Sequence, residues 1–246
     1  MTQSEAESRN QIQTNIAKFG HHIYLVTGGA LPRFAYTIGN KPKLGAELVF
    51  AGGALYSGDE VHRILSGIAA SLSYKTNWNK FSLQIDDLGL FKLRKVHPSW
   101  ANGLLLGALH FYPDKTIPAF QIVPDLAHAT IDVPDLSVAW SAAAEPIWCW
   151  IHESWPYPIS SKAVATTNLD ALRGKRITEA ARWEEDQWEL FAGPGPDVPQ
   201  ADFRVVPLAT LLGADQSLDA VTSLEVGCAM WRDPVELTWH VWGSQT

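Results

Sequence analysis

The apolar positions of the chain change period several times, and each change predicts an element. Ile12, Ile16 and Phe19 recur at helical spacing and Gly20 follows, which predicts a helix ending at that glycine. Short apolar runs come next at 23–26, 33–38 and 47–51, each closed by a turn pair: Gly28-Gly29, Gly39-Asn40 and Gly52-Gly53. Short runs punctuated this way predict strands of a small mixed or antiparallel sheet. Val61, Ile64, Leu65, Ile68 and Leu72 then mark a single stripe on an amphipathic helix. Ser57 or Asp59 precedes it, and either side chain can accept an orphan backbone N–H at its start. A hairpin is predicted over 81–96 with Asp86-Asp87-Leu88-Gly89 as its turn. His97-Pro98-Ser99 opens a second helix, since Pro suits a first helical position, with Trp100, Leu104 and Phe111 on its inner face. A strand over 117–123 ends at Pro124-Asp125.

Periodicity then weakens. Residues 131–158 are rich in Pro, Ala and Trp, and 136–160 read as a connector lying on the surface. Strand patterns resume at 163–167, 176–183 and 187–191, with 184–186 as a turn. A run at 203–206 leads into a short helix over 208–212, and a last hairpin joins 225–232 to 237–242 around Asp233-Pro234. The predicted class is α+β. A small mixed or antiparallel sheet with flanking helices occupies 1–135, the Trp- and Pro-rich connector 136–160, and a smaller strand-rich domain 161–246. Gly-Gly-Ala-Leu occurs at both Gly28 and Gly52, but the flanks differ, so no internal repeat is inferred.

Composition narrows the function classes. The formal charge of −7 argues against a nucleic-acid binder, which needs a basic face. Lys92, Arg94 and Lys95 form the densest basic run and read as a solvated strand face. An acidic chain suits a basic partner, because opposite potentials steer encounter, and it also favours solubility. The N-terminus lacks a basic segment followed by an apolar one, so no secretory leader is expected. No apolar run approaches the roughly 20 residues that span a bilayer, and the cytoplasm is the expected location. Cys149 and Cys228 make no close pair and read as buried thiols without a disulfide.

Phe19-Gly20-His21, then 32–39 (Pro-Arg-Phe-Ala-Tyr-Thr-Ile-Gly), then Glu47-Leu48-Val49-Phe50 form a first block. Phe111-Tyr112-Pro113 and 121–125 (Gln-Ile-Val-Pro-Asp) form a second. Together they resemble the bacterial domain-of-unknown-function family 4262 over residues 10–130. The chain departs from the family pattern at Ala127-His128-Ala129, where Gly and a Pro-Trp pair are usual. The family carries no established activity, so the resemblance implies a domain without implying a reaction. Residues 182–193, from Arg182 through Trp183 and Trp188 to Gly193, resemble the Trp-Glu-Phe-x-Gly hairpins of immunity-type domains in bacterial toxin systems.

Several polar groups could carry chemistry. Tyr36, Glu47 and His97 are a candidate catalytic set, because a Glu/His pair with a tyrosine hydroxyl can move protons if the fold brings them together. Arg33, Thr37, Gln121 and Asp125 lie at strand ends or on strands and are candidate ligand-binding groups. His21 and His22 alternate faces if extended, one toward the core and one toward solvent, which disfavours a shared metal. No metal-binding motif and no cofactor fingerprint is present, and none is expected to be bound. Gly52-Gly53 before a helix suggests an anion cradle, but Asp59 and Glu60 stand where phosphate would sit. Nine of the 11 tryptophans lie at or after Trp140. Trp183, Trp188, Trp239 and Trp242 are candidate partner-binding residues, since aromatic side chains anchor interfaces.

Three function classes fit: a non-catalytic interaction protein, immunity-type or regulatory, that binds another protein; a small-molecule hydrolase or transferase centred on Tyr36, Glu47 and His97; and a non-catalytic small-ligand-binding module. A pocket shared by Tyr36, Glu47 and His97 would favour the enzyme. Exposed tryptophan with an acidic rim would favour the interaction protein.

Overall fold

A computed structural model describes residues 3–242 and shows two six-stranded mixed sheets flanked by helices. The first two and last four positions, the ends of the expected 1–135 and 161–246 segments, lie outside the described residues.

The first sheet has the order β1-β2-β3-β6-β5-β4. Its strands are β1 (His22–Val26), β2 (Phe34–Ile38), β3 (Glu47–Ala51), β4 (Ser82–Ile85), β5 (Gly89–Lys95) and β6 (Ala119–Pro124). All neighbours are antiparallel except β3 and β6, which pair in parallel with Val49 opposite Gln121. Helices α1 (Gln3–Phe19), α2 (Lys41–Leu44), α3 (Gly58–Ser71), α4 (Pro98–Leu104) and α5 (Leu106–Phe111) surround it. Every residue of β2 and β3 is buried, as expected of central strands covered on both faces. Alternation divides them between two cores. Ala35, Leu48 and Phe50 pack with Val61, Ile64, Leu65 and Ile68 of α3. Phe34, Tyr36, Ile38 and Val49 pack with Trp100, Leu104 and Trp148 on the other side.

The helix predicted from Val61 to Leu72 starts with a capping box: Ser57 Oγ accepts from Glu60 N–H, and the Glu60 carboxylate accepts from Ser57 N–H. The helix predicted after His97 is interrupted at Leu105, so Trp100 and Leu104 are buried while Phe111 is only partly covered.

The second sheet has the order β10-β7-β9-β8-β11-β12. It comprises β7 (Val164–Asn168), β8 (Glu179–Glu184), β9 (Gln187–Phe191), β10 (Phe203–Pro207), β11 (Cys228–Trp231) and β12 (His240–Val241). Helices α6 (Leu169–Leu172) and α7 (Leu208–Ala214) close its core with Trp188, Leu190, Leu211 and Leu212. Its strand count equals that of the first sheet, although it is built from a shorter stretch of chain.

The stretch expected to lie on the surface at 136–160 instead enters the core. Leu136 and Trp148 are fully buried, and Trp148 sits on a 3-10 turn at Pro146–Ile151. Its indole donates to the Asp132 carbonyl at 2.9 Å and meets the Trp100 ring edge-on at 6.2 Å. That turn also packs against α7, where a Cβ on Gly213 would lie 2.7 Å from the Ile147 Cα. The physical reason is area. An indole with its N–H satisfied gains far more from burial than from lying on a surface. Both cysteines are free, Cys149 buried and Cys228 half-buried. No helix among the described residues is long and apolar enough to cross a membrane.

Candidate functional site

The polar residues singled out from the sequence fall into separate local roles. Tyr36, on β2, is buried against the first core and stacks on Tyr24 with ring centroids 5.6 Å apart. Its hydroxyl accepts the Gly107 N–H at 2.9 Å, and burial pushes its pKa up to about 12. Glu47, at the start of β3, is fully buried and saturated. Its carboxylate accepts Thr37 Oγ1 (2.6 Å), the backbone N–H of Gly39 (3.0 Å), Asn40 (3.3 Å) and Lys41 (2.9 Å), and the Tyr112 hydroxyl. Burial pushes this carboxyl above its usual range, and the hydrogen bonds from Thr37, Tyr112, Lys41 and Gly39 oppose that. His97 caps α4, its Nδ1 lying 2.9 Å from Ser99 Oγ and accepting Ser99 N–H. No hydrogen bond or ring contact joins Tyr36, Glu47 and His97 among the described residues.

Thr37, Gln121 and Asp125, expected to bind a ligand, are hydrogen-bonded within the scaffold. Thr37 holds Glu47 and accepts Leu48 N–H at 2.9 Å. Gln121 is fully buried and bridges Pro134 O (2.7 Å) and Leu136 N–H (3.1 Å), which ties the chain after β6 to the sheet. Asp125 caps a turn, accepting from Leu90, Ala127 and His128 N–H and pairing with His128 Nδ1 at 2.7 Å. The Leu90 bond, then His128, hold its carboxyl below the usual range. Arg33 lies just before β2 and donates through Nη2 to the carbonyls of Gly53 and Tyr56. His21 and His22 do not divide between core and solvent. Both are half-buried, and with His62 and Lys43 they line one cavity of about 590 Å³. Burial, mainly, lowers the pKa of each. Among the described residues, no group of three or more His, Cys, Asp and Glu side chains is placed to hold a metal ion.

The expected partner-binding tryptophans divide by position. Trp188 is buried beneath the Arg182 guanidinium, 4.5 Å from its ring centroid, and is withdrawn from any partner. Trp239 is half-buried under Arg232 at 4.4 Å, with its indole donating to Ser217 O at 3.2 Å. The reason is that Arg182 and Arg232 each need an apolar cover for a guanidinium held in the fold, and a neighbouring indole supplies it. Trp183 and Trp242 are exposed, at 53% and 57%. Trp231, not foreseen as a contact residue, is 42% exposed and lies tilted against the His240 ring with centroids 4.8 Å apart.

Trp231, on β11, and Trp242, just past β12, lie side by side, while Trp183 lies four residues further along β8 than Glu179, the partner of Trp231. Glu179 of β8 pairs with Trp231 of β11, and Trp231 with His240 of β12. Trp242 extends that register by donating its N–H to Ala229 O at 2.9 Å. Trp183 is the extra residue where the β8–β9 register shifts between Arg182 and Glu184. A bulge re-aims the side chain it carries. Three consecutive exposed carboxylates, Glu184, Glu185 and Asp186, follow it in the turn. Exposed acid flanks Trp183, whereas Trp231 and Trp242 share a cleft with Lys175, Arg176 and Arg232 as well as Asp170, Glu179 and Asp233, and position in the sheet was the only signal that separated Trp231 from Trp188.

The fold defines a two-sheet α+β protein. Residues 15–128, which carry the whole first sheet, match the family described as domain of unknown function (DUF4262). No curated protein and no solved structure matches the chain.

Proposed function

We propose that the protein is a non-catalytic interaction protein that docks a basic partner protein on the exposed tryptophans of its second sheet. One observation carries the proposal: Trp183 stands exposed on a bulge, followed by Glu184, Glu185 and Asp186, with Trp231 exposed on β11 and Trp242 just past β12. Exposed tryptophans in a group favour an interface, because each buries a large apolar area with little rotamer loss. The carboxylates select the partner's sign, as does the net charge of −7. The same hairpin carries the likeness to immunity-type domains, which supports a partner that is itself a protein. The saturated Glu47 and the separate Tyr36 and His97 lend no support to the enzyme class.

Capture from native lysate with two baits tests this: the wild type, and a Trp183→Ala/Trp231→Ala/Trp242→Ala variant. The expected result is a basic protein, identified by mass spectrometry, whose binding weakens at least about 100-fold in the variant, as hot-spot truncation does. Its affinity should also fall with salt, because the rim contacts are ionic. Equal recovery on both baits, or no protein above background, overturns the proposal.

A further inference from the structure

A cleft of about 400 Å³ lies where the two sheets meet, in the size range of small-molecule sites. One wall comes from the loop after β3 and the residue before β2, the other from β10 and α7. Gly52 and Gly53 follow β3 and lead to Ser57, the N-cap of α3, whose capping box and first-turn Asp59 and Glu60 already satisfy that helix start. Two guanidinium groups line the cleft. Arg33 is pinned by the Gly53 and Tyr56 carbonyls, and Arg204 by Leu55 O at 3.1 Å and by the carbonyls of Ala201 and Phe203. Both are hydrogen-bonded to neutral carbonyls and neither makes a direct ion pair among the described residues, while the Asp132 and Glu60 carboxylates lie close enough to act on Arg33.

Two buried polar atoms in this lining have no hydrogen-bond partner: Arg33 Nε and Thr210 Oγ1. Thr210 is fully buried. An orphaned buried donor is costly, and native structures fill such positions. Asp132 is the one acidic residue of the lining, and its carboxylate is already engaged by Thr130 Oγ1 at 2.5 Å and Ala54 N–H at 3.2 Å. The formal charge of the lining is therefore two arginines less one aspartate, or +1. The rest is largely apolar, with Tyr56, Phe203, Val205 and Val206 among it.

We infer that this cleft binds a small carboxylic acid with an apolar body, its carboxylate accepting from Arg33 Nε and Arg204 and meeting the Thr210 hydroxyl. A monoanion neutralises the lining, whereas a phosphate dianion leaves it at −1. Planar guanidinium groups match a carboxylate in geometry as well as charge. The site is independent of the protein-docking surface on β8, β11 and β12.

Isothermal titration of the full chain with benzoate, hexanoate and inorganic phosphate tests the inference. Benzoate or hexanoate should bind below about 10 mM, the weak end for small ligands, and phosphate should not compete. Arg204→Gln should weaken binding about tenfold or more, the loss of one charged hydrogen bond. Thr210→Val, which keeps shape and removes only the orphan hydroxyl, should also weaken it about tenfold while leaving the thermal midpoint of the free protein unchanged or raised. Because Arg33 also fastens the 53–56 loop, these two variants carry the test. Three results overturn it: no carboxylate binding, phosphate binding in place of carboxylate, or affinity unmoved by both variants.

Discussion

Tyr112 donates its hydroxyl to the Glu47 carboxylate from 65 positions further along the chain, while the same oxygen accepts Gly39 N–H at 2.8 Å. The contact fastens the end of α5 to the β2–β3 corner. It also completes a set of donors around Glu47 that includes the first N–H groups of α2. A buried carboxylate surrounded by donors is a structural hub.

Glu47→Gln turns an amide N–H₂ toward groups that are themselves donors, and at least one is left unpaired. The expected cost is about 3 kcal/mol, the range for breaking a buried charged network. Tyr112→Phe removes one donor and should cost about 1–2 kcal/mol. Urea unfolding followed by circular dichroism checks both. A Glu47→Gln variant as stable as the wild type would show that the hub is not holding the corner.

Gly52 has φ of +72°, and a Cβ there would collide with the Asp132 carbonyl. Gly28 has φ of +88° and open space around it. Gly52→Ala should therefore cost roughly 2–5 kcal/mol, from strain plus overpacking against backbone. Gly28→Ala should cost only the left-handed strain, about 1–2 kcal/mol. Comparable melting temperatures for the two variants would contradict the close approach of the Gly52 turn to Asp132.

Arg232 has a fully buried side chain. It donates to Ile177 O at 2.7 Å, Ser217 Oγ at 2.6 Å and Asp215 Oδ2 at 3.0 Å. Arg232→Ala strands Asp215 and opens the contact with Trp239, so a loss of about 3–5 kcal/mol is expected. Near-ultraviolet circular dichroism should report the displaced Trp239 as well. A loss under about 1 kcal/mol would place the ion pair outside the stabilising core.

His21 and His22 have folded pKa values below their unfolded value of about 6.5, with burial the first cause for each. For His21 the neighbouring His62, Lys43 and His22 charges add to it. A depressed histidine contributes stability above its unfolded pKa and loses it as pH falls through the folded one. The raised acids Glu47 and Asp132 act in the opposite sense, so the comparison must be with a His21→Asn/His22→Asn variant. The wild type should lose stability relative to that variant as pH falls below about 6.5 in urea titrations. Parallel curves would show that neither histidine resists protonation in the fold.

Much of the scaffold was legible before folding. The stripe from Val61 to Leu72, the Ser57 cap, the Asp86–Gly89 turn and the β8–β9 hairpin follow from local period and turn chemistry, which act within a few residues. The 136–160 stretch was not legible. Trp148 gains its core position from partners on α4 and β2, and no local pattern announces them. The same limit applied to function. Tyr36, Glu47 and His97 have the chemistry of an active site, but whether such groups meet depends on strand register and on which donors reach them first.

Sequence alone determined the class, most of the strands and the family-like block of the first half, because hydrophobic period and turn residues are local quantities. It also placed the tryptophan excess after Trp140. Only the tertiary structure decided which of those indoles face out. Trp183, Trp231 and Trp242 are exposed while Trp188 is buried, although all four carry the same side chain. The deciding factors were the bulge at Trp183, the pairing of β8 with β11, and the guanidinium over Trp188. Likewise the Arg33 and Thr210 orphans share a cleft only because the loop after β3 meets α7. Exposure and convergence are properties of long-range packing, and the spacing of residues along the chain does not encode them separately.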